Sequence, residues 1–144
     1  MNSHLDRFIE AQTYSYQQAL SEIKSGYKKS HWMWYIFPQI CHLGYSSTSV
    51  YYAIQSMDEA KAYLQHNILR THLLEISEAL LLQKEKSAAE IFGGVDAMKL
   101  HSCMTLFHLA EPECTVFKDV LNQYFQGNLD HKTLNILKEM EETQ

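Results

Sequence analysis

The run Lys28-Lys29-Ser30-His31-Trp32-Met33-Trp34-Tyr35-Ile36-Phe37-Pro38-Gln39 sets a basic cluster beside two tryptophans. These are the residue types that bind a small anion carrying a flat group. Lys28 and Ser30 supply charge and directional donors for a phosphate or carboxylate. Trp32 or Trp34 offers a polarisable face on which a base or sugar can stack. His31 has the chemistry of an acid or base, and Gln39 and Ser46 add hydrogen-bonding ends. A plainer use exists for the same residues. Trp32, Trp34, Ile36 and Phe37 can be core anchors, because alternate spacing suits an extended segment that buries one side.

A second candidate is Ile91-Phe92-Gly93-Gly94-Val95-Asp96, a glycine pair that leads into a helix carrying Lys99, Ser102 and Thr105. A helix start preceded by glycines can cradle an anion on its free backbone donors. Lys99, Ser102 and Thr105 stand three apart, which makes a slanted polar stripe able to line a pocket. Read structurally, Gly93 is a left-handed terminator of the preceding helix and Asp96 an ordinary cap, whose charge opposes an anion. No phosphate loop or dinucleotide fingerprint is present. Breaking a glycosidic bond needs a carboxylate near the sugar, and Glu22 and Asp96 are the candidates if either comes within reach of His31.

Eight histidines stand in no metal-binding motif, and Cys41, Cys103 and Cys114 show no paired spacing, so neither a metal site nor a resident cofactor is expected. Cys103 falls on an apolar helix face and reads as inert. His101 and His108 share the side away from Leu100, Cys103 and Met104 and read as exposed.

These residues must be positioned by helices. The chain has 144 residues, 46% of them apolar, and only five Gly and two Pro, too few turns for a sandwich or barrel. One core is expected to hold residues 1–144 as a single domain. The net charge of −5 disfavours general nucleic-acid binding and a polybasic membrane anchor. No apolar run approaches the roughly 20 residues of a membrane helix. The first ten residues include His4, Asp6, Arg7 and Glu10 with no apolar stretch, and the odd thiol count fits a reducing compartment, so the cytoplasm is the expected location.

Ser3 with Asp6 opens an amphipathic helix that closes near Gly26. Ser56 with Glu59 and Ser87 with Glu90 read as capping boxes. Asn67 begins a wide apolar stripe expected to form the central helix, and Asp96 caps a helix ending before Pro112. Thr115–Phe125 and Asp130 to about Met140 complete the set, with Glu141–Gln144 fraying. The class is therefore all-α, with six or seven helices and one irregular aromatic segment over residues 27–50.

His31-Trp32-Met33-Trp34, Ile36-Phe37-Pro38-Gln39 and Leu43-Gly44 resemble the core signature of a bacterial family catalogued as domain of unknown function 1810, some of whose members are mislabelled calpastatin. The likeness continues through Asp6-Arg7-Phe8, Tyr52-Ala53-Ile54, Ile91-Phe92-Gly93 and Met104-Thr105-Leu106-Phe107. After His66 it departs, with Asn67, Arg70 and His72 where the family usually has proline, glycine and arginine. The resemblance implies a single helical domain and no established reaction.

The expected function is binding of, or action on, a small anionic, nucleotide-like metabolite in a Trp, His and Lys pocket. The alternatives are a protein-interaction module that uses the aromatic segment, and, by analogy of size alone, an N-glycosidase-like enzyme for ADP-ribose or guanosine-type ligands.

Overall fold

A computed structural model of the protein describes residues 3–142. A 3-10 turn, Ser3–Leu5, leads into α1, Asp6–Ser25. Then come α2, Met33–Ile36, and α3, Ser47–Tyr52, followed by α4, Met57–Gln65, and α5, Asn67–Leu81. The chain continues through α6, Ala88–Phe92, α7, Gly94–Ala110, α8, Thr115–Phe125, and α9, His131–Glu142. All seven helices expected from periodicity form. The described residues hold nine, because α2 and α3 lie inside the segment expected to be irregular. One is a single turn and the other buries no side chain, so neither shows a stripe in the sequence.

The caps follow local chemistry. Ser87 and Glu90 form both halves of a capping box. Ser56 accepts from Glu59 N, but the Glu59 carboxylate turns instead to Arg7 and to Gln55 N. The capping side chain of Ser3 lies outside the described residues, and Leu5 holds the cap position of α1. Asp96 is not a cap, since α7 begins two residues earlier. Gly93 ends α6 and starts α7 at φ 82° and ψ 162°, a region essentially reserved for glycine but not the left-handed helical one. Thr143 and Gln144 lie outside the described residues, and α9 runs to Glu142.

α5 packs against α1, α4 and α8, while α7 packs against α4, α6, α8 and α9. The centre of the molecule is therefore shared. α7 is buried continuously from Ser102 to Phe107, so it is enclosed on several sides rather than amphipathic. Phe8, Tyr63, Phe107 and Phe117 meet edge-on or tilted at ring separations of 5.1 to 6.0 Å, and each fully buried aromatic contributes about 1.5–3 kcal/mol. Trp32, Phe37 and Phe92 form a second aromatic cluster, with centroids 5.9 to 6.4 Å apart.

Between α2 and α3 the main chain is fastened by one parallel bridge. Cys41 N donates to Ile54 O and Ile54 N to Gln39 O, both at 2.8 Å. Among the described residues no helix is long and apolar enough to cross a membrane.

A cleft between α7 and the start of α9

The expected extended run across Trp32, Trp34 and Ile36 is instead one helical turn, and the two tryptophans part company. Trp32 is 1% exposed, with its ring in the core. Its indole N–H donates to Glu22 at 3.0 Å. Trp32 therefore offers no stacking face. Trp34 is half-buried, with the Lys99 ammonium 5.0 Å from its ring centroid.

Glu22 is a structural acceptor. Its carboxylate receives hydrogen bonds from Gln18 Nε2, Lys29 N, Ser30 N, Ser30 Oγ and Trp32 Nε1. Burial alone pushes its carboxyl pKa up, but the donors from Ser30, Gln18 and the Lys29 backbone outweigh this and hold it down at about 2. Glu22 has no free oxygen to serve as an acid, base or nucleophile. Ser30 is likewise committed to closing the loop.

Asp96 joins the two lysines of the separate sequence candidates. Its oxygens lie 2.9 Å from Lys28 Nζ and 3.5 Å from Lys99 Nζ. Lys28 lies over the Trp32 ring with its side chain only 9% exposed, so it faces inward. Lys99, on the other side of the carboxylate, faces a cleft of about 270 Å³. His31 is exposed on the loop before α2 and is not among the residues lining that cleft.

One wall of the cleft is α7, through Val95, Met98, Lys99, His101 and Ser102, and the other is the segment from Gln39 to Ser49. Asp130 and Lys132, at the start of α9, close one end. The bridge to Ile54 fixes the Gln39 backbone, and its Nε2 donates to Ser102 Oγ at 3.0 Å. Gly44 is required by close approach: a Cβ there stands 2.7 Å from the Ser49 side chain. Ser46 is exposed and caps α3, with its hydroxyl paired to Ser49 rather than turned to the cleft.

Thr105 is fully buried and acts as a strut. Its hydroxyl donates to His101 O at 2.8 Å and accepts from Asp130 N at 2.9 Å. Asp130 Oδ2 in turn accepts from the Thr133 backbone N–H and hydroxyl. His101 stacks on Phe125 at 4.2 Å, and its Nε2 lies 2.7 Å from Asn128 O.

The fold thus brings Gln39, Lys99 and Ser102 into one cleft, with Trp34 in a small adjoining recess. It leaves Lys28, Ser30, His31, Ser46, Trp32, Thr105 and Glu22 outside it. Ser49, His101, Asp130 and Lys132 join the site without any motif in the sequence to mark them. Among the described residues no group of three or more His, Cys, Asp or Glu side chains is placed to hold a metal ion.

The crystal structure of the conserved hypothetical protein Rv1873 from Mycobacterium tuberculosis superposes on the chain with a TM-score of 0.93 and 39% identity. The match covers 96% of this chain and 99% of that one. A comparison with the curated proteins finds no match. The family model described as "Protein of unknown function (DUF1810)" matches residues 2–137. Gln39 and the aromatic turn α2 lie within the matched stretch, and the chain belongs to DUF1810.

Proposed function

We propose that the cleft between α7 and the Gln39–Ser49 segment binds a small anionic metabolite of nucleotide type, a mononucleoside phosphate or a sugar phosphate. The observation that carries this reading is the charge balance inside the cleft. Two ammonium groups, Lys99 and Lys132, face a concave site in a chain of net charge −5, and the Asp130 carboxylate on its lining has Oδ2 engaged by the Thr133 N–H and hydroxyl. Lys99 sits 3.5 Å from Asp96, a loose pair that leaves its ammonium able to turn to an incoming phosphate. A volume of about 270 Å³ suits one phosphorylated sugar and not a dinucleotide.

The two alternatives fare less well. Docking through a flat Trp32–Trp34 patch is not supported, since Trp32 lies in the core. Glycosidic cleavage is not supported either: the Glu22 oxygens are occupied, and Asp96 is held between two lysines.

A thermal-shift comparison tests the reading. AMP or ribose 5-phosphate at about a hundred times its dissociation constant stabilises the wild type by roughly 2.7 kcal/mol, on the order of 5–10 °C. Lys99→Gln, which removes the charge without setting a second carboxylate beside Asp96, abolishes most of that shift and lowers the melting temperature without ligand by only a few degrees. Equal shifts in wild type and variant, or none with either compound, overturn the reading.

A further inference from the structure

We infer that His101 and Gln39 make the cleft selective for hydroxyl-bearing phosphoesters over bare phosphate, an inference that rests on the cleft being the anion site proposed above. It comes from asking which hydrogen-bonding ends on the cleft floor are already used. His101 Nε2 lies 2.7 Å from Asn128 O. A carbonyl only accepts, so Nε2 carries the proton, and Nδ1 of the neutral ring is a lone-pair acceptor. No described residue donates to Nδ1, and it is not a sealed, partnerless atom. The stack on Phe125, with ring planes within 7° of parallel, keeps the ring from turning away.

Gln39 shows the same division. Its Nε2 donates to Ser102 Oγ, which leaves Oε1 as an open acceptor and the Ser102 hydroxyl hydrogen as an open donor. The cleft thus presents two acceptors beside two ammonium groups. Inorganic phosphate answers the ammonium groups, but as hydrogen phosphate it brings a single proton to two acceptors, His101 Nδ1 and Gln39 Oε1. One of them is left facing lone pairs. A phosphoester that also carries hydroxyls satisfies both sets, with phosphate at Lys99 and Lys132 and hydroxyl protons given to His101 and Gln39. The ligand class is a phosphorylated polyol such as a sugar phosphate or the ribose phosphate of a nucleotide. His101 acts here as a selecting residue, and no chemical step is assigned to it.

Long-range proton–nitrogen correlation of the histidine rings tests this in the wild type, with the His101 signals identified by their loss in His101→Gln. The expected spectrum has a protonated Nε2 and a bare Nδ1, and the Nδ1 signal moves on addition of ribose 5-phosphate but not of inorganic phosphate. In calorimetry His101→Gln weakens ribose 5-phosphate about tenfold and inorganic phosphate less than about twofold. A His101 protonated at Nδ1 instead, or ribose 5-phosphate binding equally to both proteins, overturns the selecting role while leaving the cleft as an anion site. Failure of both probes to bind the wild type overturns the anion site and this inference together.

Discussion

Glu22→Ala lowers the stability of the fold by about 3–5 kcal/mol, because it strips the acceptor from five donors at once. Two of them are the backbone N–H groups of Lys29 and Ser30, and a third is the buried Trp32 indole. Glu22→Gln keeps one oxygen for these donors, and the Ser30 hydroxyl can rotate to accept from the new amide, so its cost at pH 7 is smaller, about 2–3 kcal/mol. The carboxylate also makes stability depend on acid. Its pKa falls from the ordinary 4.5 to about 2 on folding, which contributes about 3 kcal/mol. A group whose value is depressed in the folded state stabilises fully above the unfolded value. The contribution is therefore present above about pH 5 and lost as pH falls toward 2. Urea unfolding at pH 7 and pH 3 reads this directly: Glu22→Gln narrows the gap to wild type at the lower pH. A gap that stays constant across this range would contradict the assignment.

Arg7→Met costs a comparable amount, about 3–5 kcal/mol. The guanidinium is almost wholly buried and pairs with both oxygens of Glu59. It also donates to three backbone carbonyls, those of His4, Tyr51 and Ala53. Removing it leaves a partly buried carboxylate without its cation and takes a donor from each of those carbonyls, although Gln55 still donates to Glu59 and to Ala53 O. Adding Glu59→Gln to Arg7→Met recovers only part of the loss, about 1 kcal/mol, since the carbonyls do not regain the donors that Arg7 supplied. The effect reaches the cleft. Arg7 holds the Tyr51–Ala53 turn, the next residue, Ile54, bridges to Gln39 and Cys41, and Gln39 lines the site. Ligand affinity therefore drops along with stability, as calorimetry of the folded variant at low temperature would register. A loss under about 1 kcal/mol in urea would refute the buried-pair assignment.

Much of the fold is legible in the sequence because its signals are local. Ser87 with Glu90, the stripe from Asn67 and the stop before Pro112 each encode a helix through its own residues. The aromatic segment defeats that approach, for Trp32 and Trp34 differ by two positions in an extended strand and in a helical turn alike. Only packing against Phe37 and Phe92 decides which of the two is buried. The cleft is harder still to read. Spacing sets His101 away from Leu100 and Cys103 and suggests solvent, but α9 lays its start near that side of α7 and turns it into a wall. Asp130 and Lys132 arrive from about thirty residues away, with no local motif to announce them. Thr105, by contrast, reads from sequence as part of a polar stripe, and in the fold it bolts α7 to Asp130.

The most direct test of the anion site is to follow the backbone amide signals of the wild type while AMP is added. A site between α7 and the Gln39–Ser49 segment requires saturable shifts concentrated at Gln39, Gly44, Ser49, Lys99, Ser102 and Lys132, with the Glu22–Ser30 loop nearly still. Shifts centred on His31 and the 28–31 loop, or no saturable shift at all, would contradict it.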